Sequence, residues 1–281
     1  MNLSKAEAVT GGYVPVEIEG KQHRVYFEYA GKGQPLLCLH TAGSDSRQYR
    51  GLLNCKEITD RYQVICFDLP YHGKSSPPAG WEKHEYKLTS GLYVQTILQF
   101  MVALEIERPI AIGCSIGGRV VLHLALKVPE RFKALIGLQS GAHVSPYYEL
   151  DWLHRPDVHG GEVCAGIVSG LIGPYADSVD RWETLWHYMQ GGPGVFKGDL
   201  YFYKSEGDLR GAEGQIDTRK CPLYLLTGEF DYSCTPEDSK SLAEKIPGAS
   251  LTIMPGLGHF PMSESPDRFI PYLLDVLGKI G

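Results

Sequence analysis

Gly113-Cys114-Ser115-Ile116-Gly117 sets a serine among glycines, after an apolar run and before a segment that reads as a helix. A sharp strand-to-helix turn there would lift the hydroxyl above a sheet edge. The glycines remove the Cβ atoms that would clash in such a turn. The helix N-terminus aims its amides at the same point, where they suit a developing anion. An alcohol is a weak nucleophile at neutral pH; it needs a base, and the base needs an orienting partner. Two downstream stretches carry candidates. Thr227-Gly228-Glu229-Phe230-Asp231 offers two carboxylates, and Gly256-Leu257-Gly258-His259-Phe260-Pro261 offers an imidazole. The chemistry these types support is nucleophilic attack on a carbonyl, with the order Ser, acid, His along the chain.

The elements around these residues alternate. Residues 22–30 alternate as a half-exposed strand does, and Pro35–His40 is a short apolar run suited to a buried parallel strand. A short helix is expected over 48–59, a strand over Tyr62–Asp68 and a helix over Ser90–Leu104. Pro109–Cys114 is a third apolar strand ending at Ser115, followed by a helix to Lys127 and a strand at Ala134–Leu138. After about Gln215 the alternation resumes, with strands at Leu223–Leu226 and Ser250–Ile253 and helices near Pro236–Lys245 and from Pro266. Such alternation implies an α/β fold, a mostly parallel twisted sheet with helices on both faces. Both the acid-bearing and the histidine-bearing loops then lie at carboxyl ends of strands, where ligands gather in open sheets.

Between about Gly141 and Gln215 the strands stop and aromatics accumulate, with Tyr147, Trp152, Trp182, Trp186, Tyr188, Phe196, Phe202 and Tyr203 among them. The expected organisation is a core over 1–141 and 215–281, with 142–214 a helical cap inserted between sheet strands. His143, His154 and His159 in this stretch have no helical metal-ligand spacing, so no metal or other cofactor is expected.

The 281 residues are 43% hydrophobic and 21% charged, which excludes a mostly disordered chain, a collagen-like repeat and a coiled coil. A net charge of −6 without a basic run argues against nucleic acid and anionic membranes as partners. Seven cysteines, none in a CxxC pair, read as free buried thiols in a reducing compartment. With no apolar leader and no run of membrane-spanning length, a cytoplasmic location is expected. The residues before about Pro35 read either as an edge hairpin or as a contact for a homodimer.

The strand–serine–helix turn, the order Ser115, Asp231, His259, and the stretches His40-Thr41-Ala42-Gly43 and Asp68–Ser75 together resemble the α/β-hydrolase fold superfamily. The resemblance runs from about Pro35 to the C-terminus, the cap apart. It implies Ser115 as nucleophile, His259 as general base and then acid, and Asp231, in preference to Glu229, as the orienting carboxylate. It also implies an oxyanion hole from the backbone amides of Ala42 and Ile116. Thr41 stands where the family usually has glycine, and so does Tyr71 in the turn that follows Asp68.

The expected function is a cofactor-free serine hydrolase. Its substrate would be a small to medium carboxylic ester or lactone with an apolar or aromatic portion. The alternatives are a carbon–carbon hydrolase acting on ring-cleavage products with the same triad, and a non-catalytic small-molecule receptor of the same fold. His40, Thr41, Cys114, Trp152, Trp186 and Phe260 are the candidate lining of the substrate site. Arg119, just after the glycines, reads as one half of a scaffold salt bridge in preference to a hold on a substrate carboxylate.

Overall fold

The computed structural model describes residues 7–144, 153–154 and 159–281. Among them eight strands form one sheet. They are β1 (Thr10–Ile18), β2 (Lys21–Ala30), β3 (Gln34–Leu39), β4 (Tyr62–Phe67), β5 (Ile110–Cys114), β6 (Ala134–Leu138), β7 (Leu223–Gly228) and β8 (Ser250–Met254). Their order across the sheet is β1-β2-β4-β3-β5-β6-β7-β8. β1 pairs with β2, and β2 with β4, antiparallel; every later pair is parallel. The chain has the α/β-hydrolase fold.

The helices of the first half are α1 (Arg50–Leu53), α2 (Lys56–Thr59), α3 (Ser90–Ala103) and α4 (Ile116–Lys127). Those between β6 and β7 are α5 (Gly160–Ser169), α6 (Ser178–Met189) and α7 (Val195–Ser205), and the last are α8 (Pro236–Lys245), α9 (Pro261–Glu264) and α10 (Pro266–Ile280). The central strands are buried without alternation because a helical layer covers each face. Phe100 of α3 and Val120 of α4 belong to one cluster, and Leu52 of α1 and Phe269, Leu273 and Leu277 of α10 to the other.

Two expectations change shape. The single helix expected over 48–59 is instead a 3-10 turn at Ser46–Tyr49 followed by α1 and α2. The break falls after Asn54: its backbone and side-chain amides both donate to Arg50 O at 3.1 Å, and Cys55 N turns to Leu52 O at 3.2 Å instead of continuing the α-helical ladder. Among the described residues before Pro35, β1 and β2 form an edge hairpin. Its turn, Glu19-Gly20, has positive φ at both residues, the twist that suits a tight two-residue hairpin.

Parallel strands deliver their carboxyl ends to one sheet edge. There the loops after β3, β5, β7 and β8 bring together the 40–44 segment, Ser115, Asp231 and His259. No described helix is long and apolar enough to cross a membrane.

Candidate active site

Ser115 sits between β5 and α4 at φ 59°, ψ −115°. A side chain in that region is strained by ~1–3 kcal/mol and persists only where its surroundings impose it. Here they do. A Cβ at Gly113 would lie 2.3 Å from Gly117 O, and one at Gly117 would lie 2.5 Å from Leu39 O, so strand, turn and helix close on each other only through glycine. Ser115 N donates to Leu138 O at 3.1 Å, and Ser115 O accepts from Arg119 N at 2.8 Å. The residue keeps 8% of its surface exposed. Its hydroxyl lies 3.4 Å from that of Tyr203, on α7.

His259 Nδ1 donates to Asp231 Oδ2 at 2.8 Å, with both side chains closed from solvent. The other Asp231 oxygen accepts from the amides of Ser233 and Cys234, which fixes the carboxylate's direction. Glu229 points elsewhere and accepts from Gly256 N at 2.9 Å. With Nδ1 committed, Nε2 is the ring nitrogen left to exchange a proton, and it meets no acceptor or donor among the described residues. The His259 loop is held on both sides. Glu264, fully buried, accepts from the amides of Gly258, Phe260 and Gly173, and His259 N donates to Leu171 O at 3.0 Å. Burial raises the Glu264 carboxyl against the lowering effect of those amides.

The loop after β3 accounts for its amides one by one. Thr41 N donates to Gln48 Oε1 at 3.0 Å, Gly43 N to Asp199 Oδ2 at 2.7 Å, and Ser44 N to Thr41 O at 3.4 Å. Among the described residues Ala42 N has no acceptor, and neither has Ile116 N at the start of α4. Buried amides without partners are rare, and a pair of them beside the Ser115 turn could accept a negatively charged oxygen.

The same loop corrects the expected pocket lining. His40 has no ring nitrogen left to meet a substrate. Its Nδ1 donates to Thr41 O at 2.8 Å, and its Nε2 accepts from Leu69 N at 3.1 Å, so both nitrogens serve the backbone. That geometry requires the neutral ring. Burial, reinforced by His72, pushes its pKa down to about 4. Thr41 is explained by its hydroxyl, which bonds Gln48 Oε1 and the Tyr188 hydroxyl from α6. Cys114 lies behind the turn, with Sγ 3.1 Å from His259 O; burial raises its thiol well above the usual value and keeps it protonated. Phe260 is buried edge-on to the His259 ring at 4.8 Å and packs near Tyr188. Trp186 turns outward, 57% exposed, because the buried side of α6 carries Leu185 and Tyr188. Trp152 lies outside the described residues.

Arg119 makes no salt bridge among the described residues. Its buried guanidinium donates instead to the carbonyls of Ala142, after β6, and Gly207, after α7, and lies 5.3 Å from the Tyr203 ring centre. Tyr71 occupies its glycine-type position at φ 75°, its ring stacked on Tyr86 at 4.4 Å. Sequence reasoning passed over Asp199 and Glu264, and met Tyr188 only as one of the aromatics of the 142–214 stretch. Asp199 alone carried a local signal, as an acidic residue within the apolar stretch of α7.

The family model for the alpha/beta hydrolase fold matches residues 34–158. The uncharacterized hydrolase YugF of Bacillus subtilis is 26% identical over 279 residues, covering 90% of this chain and 94% of its own. The pimeloyl-[acyl-carrier protein] methyl ester esterase of Aeromonas hydrophila is 25% identical, covering 90% of this chain and 99% of its own. A thermophilic esterase from Thermogutta terrifontis superposes with a TM-score of 0.82 at 20% identity, covering 96% of this chain and 99% of its own. With the parallel sheet, the serine turn and the acid and histidine loops at one edge, these matches agree on the α/β-hydrolase fold.

Proposed function

We propose that the protein is a serine hydrolase of small to medium carboxylic esters, with an apolar or aromatic portion seated under the aromatic insertion. A lactone is an internal ester and presents the same carbonyl. One observation carries the reading: a buried Asp231–His259 pair shares a sheet edge with a serine at φ 59° and with two unpartnered amides. The methyl ester esterase named above supports ester cleavage as the reaction class.

In this reading Ser115 Oγ leaves Tyr203 and attacks the carbonyl carbon while its proton passes to His259 Nε2. Such bonds tighten only when substrate is bound. The amides of Ala42 and Ile116 receive the negative oxygen, and Asp231 stabilises the imidazolium. Collapse breaks the ester C–O bond, and His259 returns the proton to the departing alcohol. Water then attacks the acyl-enzyme, its proton going to His259. The acid leaves as Oγ is reprotonated.

The experiment is fluorophosphonate labelling and p-nitrophenyl ester turnover of wild type, Ser115→Ala and His259→Ala. Labelling and turnover that vanish in both variants support the reading. A folded wild type that neither labels nor turns over would overturn it in favour of a receptor. Faster bleaching of a dienol ring-fission product than of any ester would favour carbon–carbon cleavage.

A further inference from the structure

Asp199, completely buried on α7, binds three groups from three other segments. Its Oδ2 accepts from Gly43 N at 2.7 Å and from His72 Nε2 at 2.7 Å, and its Oδ1 accepts from the Tyr86 hydroxyl at 2.8 Å. His72 Nδ1 lies 2.9 Å from Pro70 O. Both ring nitrogens therefore face acceptors, an arrangement that favours the imidazolium. Although burial opposes that charge, the Asp199 carboxylate and these hydrogen bonds hold the His72 pKa above its ordinary value.

A buried carboxylate is costly unless every lone pair finds a donor. Here one of those donors is the amide next to Ala42. We propose that Asp199 is a positioning residue for the oxyanion hole: by holding Gly43 it aims the Ala42 amide, and so makes the seating of α7 a determinant of acyl-transfer rate. This rests on the hydrolase reading above.

Two further contacts point the same way. Gly43 has φ +69°, and a Cβ there would lie 2.6 Å from Phe196, also on α7. On the other side of Ala42, Thr41 is held by Gln48 and by Tyr188 of α6. Both neighbours of the proposed donor are thus anchored, each by a side chain from the insertion. The family's usual glycine at position 41 could make no such side-chain bond. In this chain the insertion is built into the oxyanion loop as well as lying over it. The charge also matters. An isolated Asp199 carboxylate would repel a developing oxyanion, whereas the His72 imidazolium makes the pair neutral overall.

The test compares kcat and KM for p-nitrophenyl acetate across four variants, each checked for folding by near-UV circular dichroism. Asp199→Ala is expected to lower kcat about 100-fold, the effect of a small misplacement of a reacting geometry, with KM within about threefold. Asp199→Asn, which retains an acceptor for Gly43 N, is expected to recover at least tenfold of that loss. Tyr86→Phe removes a different bond to the same carboxylate and is expected to leave kcat within about threefold. If Asp199→Ala fails to fold because His72 is left unpaired, Asp199→Ala with His72→Leu removes both charges and should show the same low kcat. An unchanged kcat in the folded alanine variants would overturn the proposal, and so would an equal loss in Tyr86→Phe, which would mean general loosening. A wild type without Ser115-dependent turnover would overturn the hydrolase reading itself, and this one with it.

Discussion

His259 presents Nδ1 to Asp231 Oδ2 at 2.8 Å while Glu229, two residues before Asp231, is bound to Gly256 N instead. The pair fixes the tautomer, so that Nε2 carries the lone pair. Asp231→Asn would offer an amide N–H toward Nδ1 and favour the wrong tautomer. Its kcat on p-nitrophenyl acetate should fall by about 10⁴-fold, the size of this effect where such triads operate. Glu229→Gln should stay within about threefold of wild type. Comparable losses in the two variants would remove Asp231 from its proposed role.

Ser115 should cost the fold stability. Its φ of 59° is imposed by the closed strand, turn and helix, and glycine would adopt it without strain. Part of the relief is offset because glycine also gains freedom in the unfolded chain, about 0.4–1 kcal/mol. Ser115→Gly should therefore raise unfolding stability by about 1 kcal/mol while abolishing turnover. Ser115→Ala should abolish turnover with no such gain. Urea denaturation of both variants checks this, and a Ser115→Gly protein less stable than Ser115→Ala would refute it.

The parts of the site legible in the sequence are those with local signatures. Ser115, Asp231 and His259 each follow an apolar strand, and a parallel sheet must bring such strand ends to one edge. What was not legible depends on pairs far apart in the chain. Thr41 reads as a defect in a glycine position until Tyr188, 147 residues later, supplies a partner hydroxyl. His40 looks like a pocket histidine until both its nitrogens are found on backbone groups. Trp182 and Trp186 sit in an aromatic stretch, but α6 is amphipathic and turns both to solvent. Composition reveals an aromatic-rich insertion; it does not reveal which face of each helix meets the core.

His123 on α4 is buried with neither ring nitrogen bonded among the described residues, and its ring stands against Phe202 at 5.5 Å. Burial, aided by Lys127 and Arg119, pushes its pKa from 6.5 down to about 4. The unfolded chain therefore takes up a proton below pH 6.5 that the folded protein refuses until about pH 4. Stability falls as pH drops through that window, by about 3 kcal/mol from this group in full. His40 behaves alike, whereas His72, with its raised pKa, contributes in the opposite sense and loses its contribution as pH rises. His123→Met should raise stability at pH 7 by about 1 kcal/mol, since two unpartnered polar atoms leave the core. It should also make the acid loss shallower by one proton. Urea denaturation at pH 7 and pH 4.5 measures both, and an unchanged acid dependence would contradict the assignment.

Tyr203 reaches from α7 to within 3.4 Å of the Ser115 hydroxyl, its ring flanked by Phe202 and facing Arg119. An acyl group carried on Ser115, as proposed, would start beside that ring. Removing the ring should open room along the acyl chain, and removing only its hydroxyl should not. Across p-nitrophenyl esters of increasing acyl length, Tyr203→Ala should shift the kcat/KM optimum toward longer chains, with a gain of about tenfold for the longer esters over the acetate. A well-fitted methylene is worth a few-fold to tenfold or more in such pockets. Tyr203→Phe should keep the wild-type length optimum, because its ring still fills the same space. A profile that does not move in Tyr203→Ala would place the acyl chain elsewhere, against a different wall of the site. A shift in Tyr203→Phe of equal size would assign the selectivity to the hydroxyl, through its contact with Ser115, instead of to the bulk of the ring.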